Sequence, residues 1–226
     1  MKLRNVISVI GFASALSFVG AAQSALLTIH DNNGNTTSVG DGGLGSAVYV
    51  GPLGDWSLNI VAGLTKPAQG SPSKPSMDLS FNDLYSGAGG LGSILTIQWF
   101  DTGFLPSPAT FISAIGGTLD GISITVNDYA NGALLCTQTF TTQGAFSGTC
   151  SQSYSGSTPY SLEEDIIISY VGLNCVPTPP PPPGVPASSC PASSGDHSLR
   201  APEPGTLALL GLGLLGAAAF RRRRNS

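Results

Sequence analysis

The chain has 226 residues and a formal net charge of −4, but that charge is unevenly distributed. Six of the nine basic residues lie near the two termini, so residues 26–200 carry three basic and twelve acidic side chains, a net charge of −9. This excludes nucleic acid as an expected partner, because phosphate binding needs a basic surface. An acidic surface favours solubility, divalent cations or basic partners without selecting one of them.

Residues 1–24 have the order of a secretory signal peptide. Lys2 and Arg4 precede an uncharged apolar stretch over residues 6–19, and small residues follow it. This order predicts export. Cleavage after Ala22 and cleavage after Ser24 both place small residues at the recognised positions, so both sites stay open.

Residues 25–176 are long enough for one domain with its own core, and they predict an all-β fold. Short runs rich in β-branched and aromatic residues recur between Gly, Pro, Asn and Ser clusters, without a convincing amphipathic helix. The predicted strands are Leu26–His30, Thr36–Val39, Ala47–Val50, Trp56–Ala62, Met77–Phe81, Ile94–Phe100, Phe111–Ala114, Ile122–Asn127, Ala133–Phe140 and Ile166–Val171.

Alternation and turn chemistry indicate antiparallel pairing of these strands. Apolar and polar residues alternate over residues 122–126, as they do when one sheet face is buried and the other is wet. Asn33-Gly34 and Asn131-Gly132 each separate two predicted strands and supply the positive φ angles of tight hairpins. We therefore expect an antiparallel β-sandwich or jelly-roll-like domain.

Four cysteines in the exported part predict disulfides, because their number is even and the compartment is oxidising. Three connectivities are possible, and proximity in sequence favours Cys136–Cys150 and Cys175–Cys190. Each bond would close a loop of about 15 residues. A zinc site is the alternative, but no two cysteines have the close spacing typical of one.

Residues 177–200 predict a linker rather than part of the domain. Residues 177–183 are almost all proline and favour a semi-rigid polyproline II segment, and the stretch up to residue 200 is rich in Pro, Ser and Ala. Such a linker would hold the sandwich away from the membrane.

Residues 201–226 have three parts in a fixed order. Pro202-Glu203-Pro204 comes first, a hydrophobic helix is predicted over residues 205–220, and the basic run follows as Arg221, Arg222, Arg223 and Arg224. The 14 apolar residues at 207–220 would make a helix about 21 Å long, shorter than the hydrocarbon layer of about 30 Å. The arginines should stay on the cytoplasmic side. A marginal span of this kind is typical of a processing signal.

This tail resembles the PEP-CTERM sorting signal of exported bacterial proteins, which is also catalogued as an ice-binding protein C-terminal domain. The resemblance covers residues 201–226 alone, with Ala201 and Gly205 where Val and Ser are usual. It implies reading and cutting near the motif by an exosortase, after transient insertion in the inner membrane. It also implies a Gram-negative host that makes exopolysaccharide, which becomes a candidate partner. The predicted sandwich is only generically similar to domains found ahead of such tails.

No catalytic group, metal ligand or cofactor is predicted. His30 and His197 lie far apart in sequence, and the motifs of serine hydrolases, zinc proteases and phosphate-binding loops are missing. Glu163-Glu164-Asp165 could serve a glycosidase or calcium, but a solvated turn before a strand explains them more simply.

Two further patterns are candidate binding sites. Asp31, Asn33 and Asn35 match the first positions of a calcium loop, but Thr36 and Gly42 stand where an EF-hand has Gly and Glu. Trp56 and Trp99 could stack on sugar rings, although tryptophans in strands are mainly core residues.

These observations predict a non-enzymatic exported protein of the bacterial outer surface or extracellular matrix. A structural or adhesive role is the first hypothesis. A secreted carbohydrate-binding module using Trp56 or Trp99 is the first alternative. A secreted glycoside hydrolase using Glu163 or Glu164 is the second.

Overall fold

The computed structural model describes residues 24–85, 92–105, 109–172 and 191–202, and these residues form an all-β domain. The strands are β1 (Leu26–Asp31), β2 (Thr36–Gly40), β3 (Ser46–Leu53), β4 (Trp56–Leu64), β5 (Ser76–Tyr85), β6 (Ile94–Phe104), β7 (Ala109–Asp120), β8 (Ile122–Ala130), β9 (Ala133–Phe140), β10 (Gly144–Tyr154), β11 (Tyr160–Tyr170) and β12 (Ala192–Arg200). The part of the chain described here contains no helix long and apolar enough to cross a membrane.

The strands form two six-stranded antiparallel sheets packed as a sandwich. The first sheet has the order β2-β1-β6-β11-β8-β9, and the second has the order β10-β7-β12-β5-β4-β3. Alternate residues of the central strands face the space between the sheets. In β8, buried and half-buried side chains alternate along the whole strand. The predicted antiparallel sandwich is confirmed.

Both predicted hairpin turns are present. Gly34 has φ of 90° in the turn between β1 and β2, while Asn131 and Gly132 have φ of 48° and 73° between β8 and β9. The β8–β9 turn has the positive φ at both central residues that a type I′ turn requires, whereas in the longer β1–β2 connection Gly34 has it and Asn33 does not.

Ten of the twelve described strands overlap the predicted ones, and two were missed. The missed strands are β10 and β12, which are rich in Ser and Gly and have few β-branched apolar residues. In addition, β11 begins at Tyr160, six residues before the predicted start.

The expectation that residues 177–200 form a linker is wrong for their last nine residues. Ala192–Arg200 is β12, which pairs with β5 on one side and β7 on the other over its full length. Because both of its edges are hydrogen-bonded, a polar segment is held as a strand by its neighbours. Residues 173–190, which include the proline run, lie outside the described residues, as do the signal peptide up to residue 23 and the tail from residue 203.

A disulfide joins the two sheets along one side of the sandwich. Cys136 on the edge strand β9 is bonded to Cys150 on the edge strand β10, with the Cα atoms 6.1 Å apart. This is the first of the two pairings that sequence proximity favours. Cys175 and Cys190 lie outside the described residues, so their pairing stays a prediction.

Replacing both Cys136 and Cys150 by Ser should lower the free energy of unfolding by about 3 kcal/mol, because the bond closes a loop of about 15 residues. Denaturant unfolding of the exported wild type and the double variant measures this difference. Reduced wild type serves as a second comparison, since reduction also reaches the other two cysteines. An unchanged midpoint in the double variant would mean that the bond does not constrain the unfolded chain.

Candidate functional site

The tail leaves the sandwich directly from the end of β12. The backbone N–H of Ala201 donates to the carbonyl of Pro75 at 3.0 Å, and Ala201 packs against the core. Pro202, the first residue of the predicted sorting motif, is the last described residue. Glu203, Pro204 and the four arginines lie beyond it. The motif therefore follows the last strand without a spacer.

The three basic residues of the exported part lie at this same end of the sandwich. Lys66 and Lys74 belong to the connection between β4 and β5, and Arg200 ends β12 opposite the first residue of β5. The Lys66 ammonium contacts Asp101 at 2.6 Å and lies 4.2 Å from the centre of the Phe104 ring. The sandwich is thus polarised, with its cations concentrated where the tail begins.

A buried cluster of two carboxylates and one imidazole lies between the sheets. Asp128 on β8 and Glu164 on β11 are direct cross-strand partners in the first sheet, and both side chains face inward. His197 approaches them from β12 in the second sheet. All three side chains are 0% exposed.

The atoms of this inter-sheet cluster are close but not hydrogen-bonded to one another. His197 Nε2 lies 3.3 Å from Asp128 Oδ1, and His197 Nδ1 lies 3.3 Å from Glu164 Oε1. Neither contact has hydrogen-bond geometry, and both carboxylates and Nδ1 make no well-formed hydrogen bond among the described residues. In the described part of the chain, the backbone of Leu199 is the one group that approaches Glu164 closely enough to lower its pKa, against the larger effect of burial. Unpaired buried polar atoms are rare because each has lost its hydration, so this arrangement needs an explanation.

One contact does orient the imidazole. Ser113 on β7 places its Oγ 3.1 Å from His197 Nε2 and accepts a hydrogen bond from the Gln138 side-chain amide at 3.3 Å. The electrostatics of the cluster are unfavourable to negative charge: burial raises the pKa of Glu164 well above its usual range, and the neighbouring Asp128 charge adds to the rise.

Another buried carboxylate, outside this cluster, lies elsewhere between the sheets. Asp83 on β5 accepts a hydrogen bond from the hydroxyl of Ser193 on β12, and both side chains are nearly inaccessible to solvent. Burial raises the pKa of Asp83 to about 7, which the Ser193 hydrogen bond only partly offsets.

Asp83 should make the domain less stable as the pH rises from about 4 to about 7. Its folded-state pKa lies above the unfolded value, so its protonated form favours folding below pH 4 and this preference is lost as the pH approaches 7. The slope should approach about 1.4 kcal/mol per pH unit midway between the two pKa values. Urea unfolding at four pH values, with wild type and Asp83→Asn side by side, measures it. Equal slopes in the two proteins would contradict this assignment.

Three further acidic groups, Asp78, Asp165 and Asp196, lie at outward positions of their strands. Asp165 lies on the outer face of β11, where burial and then the neighbouring Glu163 raise its pKa to about 7. Asp78 and Asp196 lie together on the outer face of the second sheet, and burial followed by the Asp196 charge raises the pKa of Asp78 to about 6. Asp196 also borders an open groove of about 540 Å³ between β7, β10 and β12, lined mainly by small residues such as Gly116 and Ser147.

Burial removes the two predicted sugar-stacking residues from any binding surface. Trp56 and Trp99 are 1% and 0% exposed. Trp56 meets the ring of Tyr85 edge-on, and the Trp99 indole N–H donates to the carbonyl of Leu64. Both rings are core residues, so the expectation of sugar stacking is wrong for this structure.

The acidic tripeptide is not a turn, because Glu163, Glu164 and Asp165 all lie inside β11. Successive side chains of β11 point to opposite faces of the sheet, so Glu164 faces inward while Glu163 and Asp165 face outward. Glu163 and Glu164 therefore cannot flank one substrate, which removes the pair suggested for a glycosidase.

The predicted calcium-like loop has a structural explanation. Asp31 accepts hydrogen bonds from the backbone N–H groups of Asn33 and Asn35 and from the Asn35 amide. Its carboxylate thus closes the β1–β2 hairpin, as the sequence indicated.

Sequence reasoning missed the inter-sheet cluster, although one signal was available. Asp128 continues the alternation of Ile122, Ile124 and Val126, so a charged residue occupies a core position of β8. His197 could not be found in this way, because β12 itself was not recognised.

The comparison with family models agrees with the predicted tail. Residues 200–224 match the family described as "PEP-CTERM protein-sorting motif", which supports export and sorting to the cell surface through an exosortase. No curated protein matches the chain significantly.

Two solved structures are similar at low identity. One, described as "CBM4 structure and function", is 10% identical over 65% of this chain and 78% of that one, with a TM-score of 0.31. The other is the GH31 alpha-xylosidase Xac1773 from Xanthomonas citri, 9% identical over 82% of this chain and 17% of that one, also with a TM-score of 0.31. At these values neither supports an inference about function.

Proposed function

We propose that this protein is a structural or adhesive component of the bacterial outer surface or extracellular matrix, delivered as a complete sandwich and cut free of its tail. The observation that carries the proposal is the junction at residues 200–202. The last strand ends at Arg200, and the sorting motif matches from that same residue. A cut within or after the motif therefore removes no strand of the domain.

The position of β12 also supports delivery of a folded product. β12 is the last strand in the sequence, yet it lies in the middle of the second sheet. The sheet is complete only when residues 192–200 have emerged on the far side of the membrane. Folding of the domain and presentation of the motif thus occur at the same stage of export.

The charge distribution favours one orientation during processing. Only residues 203–206 separate Pro202 from the apolar run, a distance of about 17 Å at most. The end that bears Lys66, Lys74 and Arg200 consequently faces the membrane surface while the tail is inserted. A basic residue near anionic headgroups contributes about 1 kcal/mol, so the exposed Arg200 favours this orientation, whereas Lys66 is already paired with Asp101.

A non-catalytic role is supported by where the titratable groups lie. The imidazole of His197 and the carboxylates of Asp128 and Glu164 are buried between the sheets. A substrate cannot reach them without separation of the sheets.

Intact-mass measurement of the exported protein tests the proposal. In cells with the processing enzyme, the mature protein should lack both the signal peptide and the tail, whereas Glu203→Gln should accumulate with the tail attached. Asp120→Asn is the matched control, because it removes one exposed carboxylate at the opposite end of the sandwich. Mature wild-type protein that still carries Arg224 would refute the proposed processing.

Carbohydrate binding remains a second candidate because of the groove beside Asp196. Its polar lining, which includes Ser147, Thr149 and Ser198, suits sugar hydroxyls. Glycan-array binding that Asp196→Asn abolishes and Asp120→Asn leaves intact would favour this role. Binding that neither variant changes would exclude the groove.

A further inference from the structure

We propose that Asp128, Glu164 and His197 bind one divalent first-row transition-metal cation between the two sheets, with Zn²⁺ as the best-matched ion. This site is independent of the sorting function proposed above. The three side chains offer one ligand atom each, and these atoms all lie within 4.8 Å of one another. They come from β8, β11 and β12, so the ion would connect the two sheets.

The first argument is charge. Two neighbouring carboxylates are fully buried with no lysine or arginine in contact among the described residues. Burying such charges without compensation is highly unfavourable. A divalent cation neutralises both carboxylates while the imidazole remains neutral, which is the form that coordinates metals.

The second argument is the set of unpaired atoms. Four carboxylate oxygens and His197 Nδ1 make no well-formed hydrogen bond among the described residues. Nδ1 lies 3.3 Å from Glu164, and Nε2 lies 3.3 Å from Asp128. Ligands about 2.0–2.2 Å from one ion are separated by roughly 3.0–3.5 Å and point at the ion rather than at each other. The contact between Nδ1 and Glu164 Oε1 has this separation and lacks hydrogen-bond geometry, whereas Asp128 lies against the other ring nitrogen.

The third argument is support from the next layer of residues. Nδ1 is the unpaired ring nitrogen, while Nε2 faces Ser113 Oγ, which Gln138 also contacts. A metal-bound histidine commonly donates its other N–H to a fixed oxygen in this way. Asp128 Oδ1 lies 3.3 Å from Nε2 and Glu164 Oε1 lies 3.3 Å from Nδ1, so coordination through Nδ1 requires the Asp128 carboxylate to turn toward Glu164, its cross-strand neighbour.

The ligand types select the class of ion. Imidazole nitrogen favours zinc and its first-row neighbours, whereas calcium and magnesium prefer six or more oxygen ligands. Because the site is closed to solvent, the ion would stabilise the fold by holding β12 against the first sheet rather than perform chemistry.

The test uses the mature exported protein, purified without chelators. Elemental analysis should find about one equivalent of Zn²⁺ per chain. Removal of the metal with dipicolinate should lower Tm by about 5–10 °C, and Zn²⁺ at a hundredfold excess over its Kd should restore it. Glu164→Gln, which keeps the side-chain shape, should lose the metal. Asp83→Asn, which alters a comparably buried carboxylate outside the cluster, should keep it.

Two further measurements keep the proposal falsifiable if Glu164→Gln does not fold. X-ray absorption of the wild-type zinc form should show one imidazole with oxygen ligands and no sulfur, which separates this site from Cys175 and Cys190. Wild-type protein that is isolated without metal and whose Tm is unchanged by Zn²⁺ or Mn²⁺ would overturn the proposal. In that case the cluster would be neutralised by shared protons. Equal metal loss in both variants, or sulfur ligation, would also overturn it.

Discussion

Ending the chain after Pro191 should abolish folding of the exported domain, whereas ending it after Pro202 should leave the domain folded. Both truncations lack the sorting tail, so they differ only in β12 and the two residues that follow it. Without β12, the second sheet divides into β10-β7 and β5-β4-β3, which exposes two unpaired strand edges. The core also loses Leu199, Ser193 and His197, all buried side chains.

Circular dichroism, thermal unfolding and limited proteolysis of the two exported proteins measure this effect. The shorter protein should show no cooperative transition and should be degraded rapidly, and the longer one should unfold at the temperature of the processed wild type. A shared transition temperature would mean that residues 192–200 behave as the linker that the sequence predicted.

Replacing Trp99 by Ala should lower the free energy of unfolding by about 3–5 kcal/mol, because it removes a fully buried ring and leaves a cavity. The space around this ring is closely fitted: a Cβ placed on Gly63 of the opposite sheet would lie 2.5 Å from indole Cδ2. The variant also leaves the Leu64 carbonyl without its donor.

Val50→Ala is the control for Trp99→Ala, because Val50 is 65% exposed and its truncation should change stability by no more than about 0.5 kcal/mol. Denaturant unfolding compares both variants with wild type. Unchanged stability in Trp99→Ala, together with loss of polysaccharide binding, would return this residue to a binding surface and contradict its position in the core.

Much of the fold could be predicted because its signals are local. Alternation over Ile122–Val126 reports one buried face, and Asn131-Gly132 supplies the backbone angles of a hairpin without help from the rest of the molecule. Export and the sorting tail were equally accessible, since membrane machinery reads both as linear segments.

Other features depended on neighbours that are distant in sequence. Glu164 is buried and Glu163 is half-buried because β11 runs between β6 and β8, and their composition alone suggested a solvated turn. The same is true of the cluster, where His197 meets Asp128 and Glu164 across the two sheets. No spacing along the chain brings these three residues together.

The sequence by itself determined that this protein is exported, acidic and all-β, and that it ends in a sorting tail. Each of these properties is written in a short segment or in a local alternation. The tertiary structure alone decided that the Ser-rich segment at residues 192–200 is a central strand, because hydrogen bonds from β5 and β7 hold it where its side chains give no apolar pattern. It also decided the burial of both tryptophans and the meeting of two carboxylates with a histidine, since burial depends on which strands lie opposite each other.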